Sequence, residues 1–452
     1  MATALATGPP RGEAGNRERL IAYPRRGFYD VFALAVVRVC QGQVRGVDCD
    51  MVGCRLSCLW VTWGMAMKTC LSGFGFRIFS YLLWAAFPLM AVSTTVRAAD
   101  PLVFATSFAG GGQGAIHAWR FSLAEGRFTP VTRNEGVDNP FFIAISPDQR
   151  FLYSIDAKNF GSAAEERVAA FAIEKSTGSL RLLNQQSSRG SASCFLEVDA
   201  TGKTVLVANY TTGNVAALPV REDGSLGPAA SFFQHDGSGP DPVRQKGPYA
   251  HCFVISPNNH HAYAADLGID KLLGYRLEAS TAKLERLDPP SAATPPGAGP
   301  RHLTFHPNGK WLYAINELAN TVTRFDYSEA TGALTPGATV STLPEGYKGV
   351  THTADVKITP DGRFLYGTNR GHDSVAIFAI GADGGLTRVG IEPSLGKGPQ
   401  NLAITGDGRW LLCANMPGNN VAVFAIDRES GRLKAVGPPT EVRSPSCLRL
   451  LP

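Results

Sequence analysis

A short turn motif returns seven times in the C-terminal part of this chain of 452 residues. Each copy reads Gly-x-Leu or a close variant, and successive copies begin between 46 and 58 residues apart. The copies begin at Gly126, Gly178, Gly224, Ala282, Gly332, Gly384 and Gly431. A repeat of about fifty residues made of short strands and glycine turns is typical of radially repeated β-sheets. We therefore predict an all-β fold, a seven-bladed β-propeller of four-stranded antiparallel blades.

The repeat between residues 299 and 332 shows how one blade is built. Residues 303–305 indicate a first strand, and residues 306–309 (His-Pro-Asn-Gly) a turn in which Pro fixes φ and Gly supplies the open dihedral. Residues 311–315 and 322–326 indicate the second and third strands, and the Gly332 turn leads to a fourth.

The two ends of the repeat region complement each other. The region starts with a sequence of second-strand type, residues 102–105, and finishes with one of first-strand type, residues 446–450. We expect the C-terminal strand to join the N-terminal blade and close the ring, which removes the open edges that make isolated sheets aggregate.

Residues 1–99 differ from the repeat region. Residues 1–66 contain no copy of the repeat, and we expect a non-native or disordered N-terminal extension there. From Met67 the chain has basic Lys68 and Arg77, an apolar stretch over 78–92, and small residues at 98–99. This is the layout of a secretory signal peptide, and its apolar stretch is shorter than the roughly 20 residues of a membrane-spanning helix. We predict a signal peptide over 67–99, export to the periplasm or medium, no stable membrane insertion after cleavage, and one domain over 100–452.

Charge and cysteine content narrow the function classes. The whole chain carries a net charge of +5, but residues 100–452 contain 32 Lys and Arg against 33 Asp and Glu, a net charge of −1. A domain with this balance lacks the excess of positive charge that is typical of nucleic-acid-binding proteins. Four of the nine cysteines lie in the repeat region, and their spacing matches no metal site. A disulfide is one possibility, but we expect buried free thiols at Cys194, Cys252 and Cys447, which lie in apolar strands of different repeats.

Antiparallel pairing places the start of each first strand and the end of each second strand on one rim of the ring. Polar residues at these two places converge on one mouth of the central channel. We predict that four of them are catalytic: His251, Glu317, Arg301 and Arg370. We predict that five more bind substrate: Tyr249, His302, Asn316, Asp355 and Asp266.

This set offers a base, an acid and two guanidinium groups, which suits a hydrolytic or isomerising site. Purely structural roles are the alternatives: Glu317 as a strand-end cap, His251 as a core histidine, and the arginines as braces between blades. We expect His260, His261 and His306 to be solvated on the opposite rim, and we assign no role to His235, His352 and His372. No metal-binding or dinucleotide motif occurs, so we predict neither a metal nor a cofactor.

Several segments resemble the lactonase family of seven-bladed propellers over about residues 101–452. They are Gly299-Pro300-Arg301-His302, Asn316-Glu317-Leu318, Ala208-Asn209-Tyr210, Ala264-Ala265-Asp266 and Ala354-Asp355. That family includes the propeller-type 6-phosphogluconolactonases and, more distantly, the carboxymuconate-lactonizing enzymes. The resemblance implies metal-free hydrolysis of a sugar-acid lactone, a small molecule, by a cluster that falls on His251, Arg301, Glu317 and Arg370.

For this reaction we expect Glu317 or His251 to activate water, one arginine to stabilise the oxyanion, and the other to hold a phosphate or carboxylate of the substrate. The chain departs from the family at Tyr249, where a histidine is frequent, and at Phe195, where a polar residue is common. These departures affect substrate fit. Because phosphorylated sugar lactones arise in the cytoplasm, the predicted export leaves the substrate open.

Three alternative functions remain at this point. A non-catalytic binding propeller of the surface-layer type is suggested by residues 411–424, although its blades would be nearly identical. A lactonizing or isomerising enzyme of the carboxymuconate type is the second. A calcium-dependent lactonase is the third, and it needs several carboxylates on one ion, for which Glu317, Asp266 and Asp355 are the candidates.

Overall fold

Seven antiparallel sheets form a closed ring in the computed structural model, which describes residues 100–451. The predicted seven-bladed propeller is confirmed, since each blade contains the four-stranded meander expected from the repeat. The predicted signal peptide and the extension before it lie outside the described residues. Residues 100–451 include no helix with the length and hydrophobicity of a membrane span.

Strands are numbered in chain order and given for each blade from the channel outward. Blade 1 contains β29 (Leu448–Leu451), β1 (Leu102–Ser107), β2 (Ala115–Ser122) and β3 (Arg127–Glu135), and blade 2 contains β4 (Ile143–Ile145), β5 (Phe151–Asp156), β6 (Arg167–Glu174) and β7 (Ser179–Ser187). Blade 3 contains β8 (Ser193–Val198), β9 (Thr204–Asn209), β10 (Asn214–Pro219) and β11 (Ser231–Gln234), and blade 4 contains β12 (Ala250–Ile255), β13 (His261–Asp266), β14 (Lys271–Glu278) and β15 (Lys283–Ala293).

Blade 5 contains β16 (Pro300–Phe305), β17 (Trp311–Asn316), β18 (Thr321–Tyr327) and β19 (Leu334–Ser341). Blade 6 contains β20 (His352–Ile358), β21 (Phe364–Arg370), β22 (Ser374–Ile380) and β23 (Leu386–Pro393). Blade 7 contains β24 (Pro399–Ile404), β25 (Trp410–Asn415), β26 (Asn420–Ile426) and β27 (Leu433–Ala435), and the short β28 (Thr440–Glu441) also pairs with β26.

The C-terminal strand closes the ring as predicted. Strand β29 pairs antiparallel with β1, so that Ala105 lies opposite Leu448 and Leu102 opposite Leu451. A second contact joins blade 7 to blade 1, because the Trp410 indole N–H donates to the Leu123 carbonyl at 3.1 Å. The first and last repeats are therefore joined by both backbone pairing and side-chain packing.

The Gly-x-Leu turn recurs because it is a docking point between blades. Its glycine adopts a positive φ and lies against a side chain that begins the second strand of the preceding blade, as Gly384 does on Trp311 and Gly431 on Phe364. A tyrosine of that same second strand donates its hydroxyl to the glycine carbonyl in several blades, for example Tyr366 to Gly431 at 2.8 Å. A side chain at the turn would occupy the space of the aromatic ring.

Gly431→Ala is expected to destabilise the protein more than Gly437→Ala does. Both glycines have a positive φ, 72° and 64°, so both substitutions introduce backbone strain. Only at Gly431 would the added Cβ overlap the Phe364 ring, whereas the space at Gly437 is open. We expect an additional loss of about 1–3 kcal/mol at Gly431, measured as the difference in free energy of unfolding in urea. Equal losses would contradict the docking role of the turn.

The prediction that His261 and His306 are solvated is wrong. Both are buried on the rim opposite the predicted site; His261 contacts the Tyr327 hydroxyl at 2.7 Å and His306 the Gly362 carbonyl at 2.9 Å. They are buried because each imidazole packs against a glycine of the next blade, His261 against Gly332 and His306 against Gly362. His260 alone is exposed, as expected.

Four cysteines lie in the described part of the chain, and all are buried free thiols, as expected for Cys194, Cys252 and Cys447. Each is enclosed by the packed sheets.

Candidate active site

A β-bulge near the start of the first strand recurs in blades 3 to 7. The bulged residue has no direct partner in the ladder, and such bulges commonly redirect a side chain beside an active site. The first bulged residues are Cys194, His251, Arg301, Ala354 and Gln400. Two of the four predicted catalytic residues, His251 and Arg301, thus occupy the same position of neighbouring blades.

The other two predicted catalytic residues share a second repeat position. In five blades the second strand reaches an Asn or Asp that pairs with the residue before the bulge, as Asn316 pairs with Pro300. The residue after this Asn or Asp is Tyr210 in blade 3, Glu317 in blade 5 and Arg370 in blade 6. The fold therefore brings two repeat positions of blades 3 to 6 to one mouth of the channel.

Glu317 lies at the centre of a cluster of three arginines. Its Oε2 is 3.0 Å from Arg301 Nε and 2.9 Å from Arg370 Nη2, and its Oε1 accepts a hydrogen bond from Arg244 Nη2 at 2.6 Å. The Arg301 contact is an ion pair without hydrogen-bond alignment. Glu317 and Arg301 side chains are only 7% and 1% exposed, whereas Arg370 and Arg244 are 27% and 33% exposed. Arg370 and Arg244 are therefore the members of the cluster that contact solvent.

One backbone carbonyl and one histidine fix the orientation of Arg301. Its Nη1 donates to the Ala354 carbonyl at 2.6 Å and to His302 Nε2 at 3.2 Å. Because Nε2 accepts from a guanidinium, His302 is neutral, and its Nδ1–H donates to Asp355 Oδ1 at 2.8 Å. Burial, reinforced by Arg301, lowers the pKa of His302 to about 3, which agrees with a neutral ring. His302 and Asp355 thus form a chain behind Arg301.

His251 lies between an aromatic side chain and a thiol. Its ring is in edge contact with Tyr210 at 5.3 Å between centroids, and its Nδ1 is 3.6 Å from Cys194 Sγ. Three backbone carbonyls surround that thiol, the nearest at 3.4 Å. Burial raises the pKa of Cys194, so the thiol keeps its proton. Within residues 100–451, His251 Nε2 forms no hydrogen bond.

Glu317 and His251 differ in protonation state. Burial alone would raise the pKa of Glu317, but attraction by Arg370 and Arg301 holds it well below its usual range, so Glu317 is ionised. Burial, reinforced by Arg301 and His302, lowers the pKa of His251 well below 6.5, and Glu317 partly opposes this shift. Burial lowers the pKa of Arg301 to about 10, which leaves the guanidinium charged at neutral pH.

Four of the five residues predicted to bind substrate direct their polar atoms into the protein. Asp266 is fully buried, with Oδ2 2.6 Å from His235 Nδ1 and Oδ1 accepting the Tyr249 N–H at 2.7 Å. Asn316, also fully buried, donates from Nδ2 to the hydroxyls of Thr321 and Thr323. The structure thus does not bring these two side chains into the cluster.

His302 contacts Arg301 and, through an edge contact of 5.5 Å between ring centroids, His251, whereas Asp355 reaches the cluster only through His302. The other partners of the Asp355 carboxylate are Lys357, Asn401 and the Leu402 N–H. Tyr249 is the exception among the five, since its partly exposed ring stacks on Tyr210, 4.9 Å between centroids.

Arg244 belongs to the cluster but was not predicted from the sequence. It lies in the loop 235–249 between blades 3 and 4, and therefore neither at the start of a first strand nor at the end of a second strand. His352 was left without a role, yet it precedes Thr353 at the same rim, and Glu317 is the largest charged influence on its pKa, which burial lowers. The position of His352 at the start of a first strand could have identified it, whereas no repeat position identifies Arg244.

No group of three or more His, Cys, Asp or Glu side chains within residues 100–451 is arranged to hold a metal ion. In particular, Glu317, Asp266 and Asp355 have the separate partners described above and share no ligand position.

A closed seven-bladed ring with an ionised carboxylate, three guanidinium groups and a neutral imidazole at one channel mouth defines an enzyme-like propeller. The sequence model of the family described as lactonase, 7-bladed beta-propeller, matches residues 102–450, and the chain belongs to this family.

Relatives of known sequence and structure agree with this membership. The chain is 35% identical over 270 residues to a 6-phosphogluconolactonase of Bacillus subtilis, a match that covers 60% of this chain and 75% of the relative. A putative 6-phosphogluconolactonase structure from Bacteroides fragilis is 33% identical with a TM-score of 0.72, covering 78% of this chain and 98% of the other. The periplasmic gluconolactonase of Pseudomonas aeruginosa is 31% identical with a TM-score of 0.72, covering 78% and 99%.

Proposed function

We propose that this protein is a lactonase that hydrolyses a sugar-acid lactone at the mouth of the propeller channel. One observation carries the proposal: the neutral His251 and the buried Arg301 belong to one cluster, and each has an atom that lacks a partner within residues 100–451. These atoms are His251 Nε2 and Arg301 Nη2. A base nitrogen and a guanidinium N–H that both remain unused are the two groups that lactone hydrolysis requires.

In this mechanism His251 is the base. The Cys194 thiol donates to a backbone carbonyl, so its sulfur accepts the His251 Nδ1–H, which leaves the lone pair on Nε2. Nε2 takes a proton from water as the oxygen attacks the lactone carbonyl carbon. The tetrahedral oxyanion accepts hydrogen bonds from Arg301. The ring C–O bond then breaks, the leaving oxygen takes the proton from the imidazolium, and a hydroxy acid results.

Glu317 has a supporting electrostatic role. A carboxylate whose pKa is held this low by Arg370 and Arg301 is a poor base at neutral pH. Its charge holds the guanidinium groups in place and stabilises the imidazolium that forms during the reaction, because Glu317 favours protonated His251.

The relatives named as 6-phosphogluconolactonases and gluconolactonase support the substrate class. We further propose that the reaction needs no metal and that the protein is exported. The signal-like sequence over 67–99 and the periplasmic relative from Pseudomonas aeruginosa favour export. The lactonase family match favours hydrolysis over a non-catalytic binding propeller.

The direct test is hydrolysis of glucono-δ-lactone and its 6-phosphate by the purified protein, with and without EDTA, corrected for spontaneous opening. We expect turnover of at least one lactone at a rate that EDTA leaves unchanged. Absence of turnover of both lactones would refute the proposed activity, and loss of turnover in EDTA would refute metal independence.

A further inference from the structure

The three arginines of the cluster differ in how many of their donors the protein already uses. Arg370 directs Nη2 to the Thr353 carbonyl and to Glu317, Nε to the His352 carbonyl at 3.4 Å, and Nη1 to Gln400 at 3.4 Å. Arg301 uses Nη1 on the Ala354 carbonyl and His302, and its Nε faces Glu317 as an ion pair without a hydrogen bond, so that within the described residues Nη2 alone has neither kind of partner. Arg244 uses Nη2 alone, on Glu317 and, at 3.5 Å, on the Tyr210 hydroxyl.

Within the described residues, Arg244 Nε and Nη1 therefore have no hydrogen-bond partner. The Arg244 side chain is also the most exposed of the three, at 33%. An arginine that is anchored through one nitrogen and keeps the N–H groups of two others without a partner can donate charge-assisted hydrogen bonds to an anion.

The loop that carries Arg244 is held in a defined conformation. Asp241 Oδ1 accepts the backbone N–H groups of Val243 and Arg244, at 2.9 and 3.0 Å. The neighbouring Gln245 is 1% exposed and donates from Nε2 to the Leu267 carbonyl and to Asp270 Oδ1, both at 2.8 Å. Because the backbone on both sides of the side chain is fixed, Arg244 pays little ordering entropy when a ligand binds.

The charge of the cluster favours an anionic ligand. Arg244, Arg301 and Arg370 face one ionised carboxylate, Glu317, and His251 is neutral, so the cluster carries an excess of two positive charges. A half-enclosed site with such an excess attracts anions.

From these observations we propose that Arg244 binds an anionic substituent of the lactone, a phosphate or a carboxylate remote from the ring carbonyl, and so sets a preference for charged over neutral lactones. This proposal rests on the proposed lactonase function. The reacting carbonyl lies at His251 and Arg301, deeper in the mouth, while the substituent lies toward solvent at Arg244.

The test compares Arg244→Gln with the wild-type protein on matched lactone pairs. The phosphate arm uses 6-phosphoglucono-δ-lactone against glucono-δ-lactone, and the carboxylate arm uses glucaro-1,4-lactone against glucono-1,4-lactone. The readout is the ratio of kcat/KM within each pair, in which any general effect of the lost Glu317 contact cancels. We expect this ratio to fall about 10- to 100-fold in the arm whose anion the site binds, and to recover partly in Arg244→Lys, which keeps the charge but not the planar fork.

Arg286→Gln is the matched control, because Arg286 is an exposed arginine on strand β15, remote in the blade from the channel mouth. It should leave the ratio and both rates unchanged. A ratio that stays constant in Arg244→Gln in both arms would overturn the proposal, whether or not the rates fall together.

Calorimetric binding of the products separates this proposal from the proposed function. We expect 6-phosphogluconate or glucarate to bind the wild-type protein at least tenfold more tightly than gluconate, and Arg244→Gln to lose that preference, even if no lactone is hydrolysed. Equal binding of charged and neutral-tailed products by the wild-type protein would refute the role of Arg244, whatever the hydrolysis assay shows.

Discussion

Glu317→Gln is expected to lower kcat for lactone hydrolysis by about 10²- to 10⁴-fold. The amide keeps the shape of the side chain but removes the charge that contacts Arg301, Arg370 and Arg244. Three guanidinium groups then repel one another, and the imidazolium formed on His251 loses its counter-charge. The measurement is steady-state hydrolysis of glucono-δ-lactone, with circular dichroism to verify folding.

The pH profile distinguishes the supporting role of Glu317 from the role of base. In our mechanism the acid limb of kcat/KM persists in Glu317→Gln and moves to lower pH, because Glu317 normally raises the pKa of His251. If Glu317 were the base, that limb would disappear.

Asp199→Asn is the control for removing a buried carboxylate. Asp199 lies at the opposite rim, where it accepts the N–H groups of Thr201, Lys203 and Thr204. The control should lose stability and keep its turnover. Unchanged kcat in Glu317→Gln would reject the assignment of this cluster.

His251→Asn is expected to lower kcat by about 10²- to 10⁴-fold, the usual effect of losing a general base. The Asn amide retains a donor near the position of Nδ1, toward Cys194, but offers no basic nitrogen toward the cavity. In the wild-type protein, activity is lost as pH falls through the pKa of His251, which burial and Arg301 place well below 6.5. We therefore expect an acid limb below pH 6.5 for the wild type and none for His251→Asn.

A second buried histidine provides the comparison. His261, hydrogen-bonded to Tyr327 on the opposite rim, is not part of the cluster. His261→Asn should retain wild-type kcat and the wild-type pH profile. If His251→Asn behaves like His261→Asn, His251 is not the base.

The fold could be predicted from the sequence because the signals are local and repeated. Gly-x-Leu turns mark the blades, since a glycine is needed where Gly384 and Gly431 contact aromatic rings. The complementary strand types at residues 102–105 and 446–450 predicted the closure that β1 and β29 form. The burial of His261 and His306 escaped prediction because it depends on glycines in the adjacent blade.

The side-chain cluster at the channel mouth could be predicted only for residues that occupy repeat positions. Two repeat positions contain His251, Arg301, Glu317 and Arg370. Because the start of each first strand and the end of each second strand lie on one rim, the sequence predicts that these residues lie close together. The same rule included Asn316 and Asp266, whose position at the end of a second strand is a structural feature shared by several blades. Arg244 lies in the long loop between blades, and its approach to Glu317 depends on the bonds of Asp241 and Gln245.

The structure of the protein crystallised with saturating gluconate tests the account most directly. A ligand at the channel mouth is expected, its carboxylate accepting a hydrogen bond from Arg301 Nη2 and one of its hydroxyl groups donating to His251 Nε2. Gluconate bound elsewhere, with only water at the mouth, or a mouth in which His251, Arg301, Glu317 and Arg370 do not face one cavity, would contradict it.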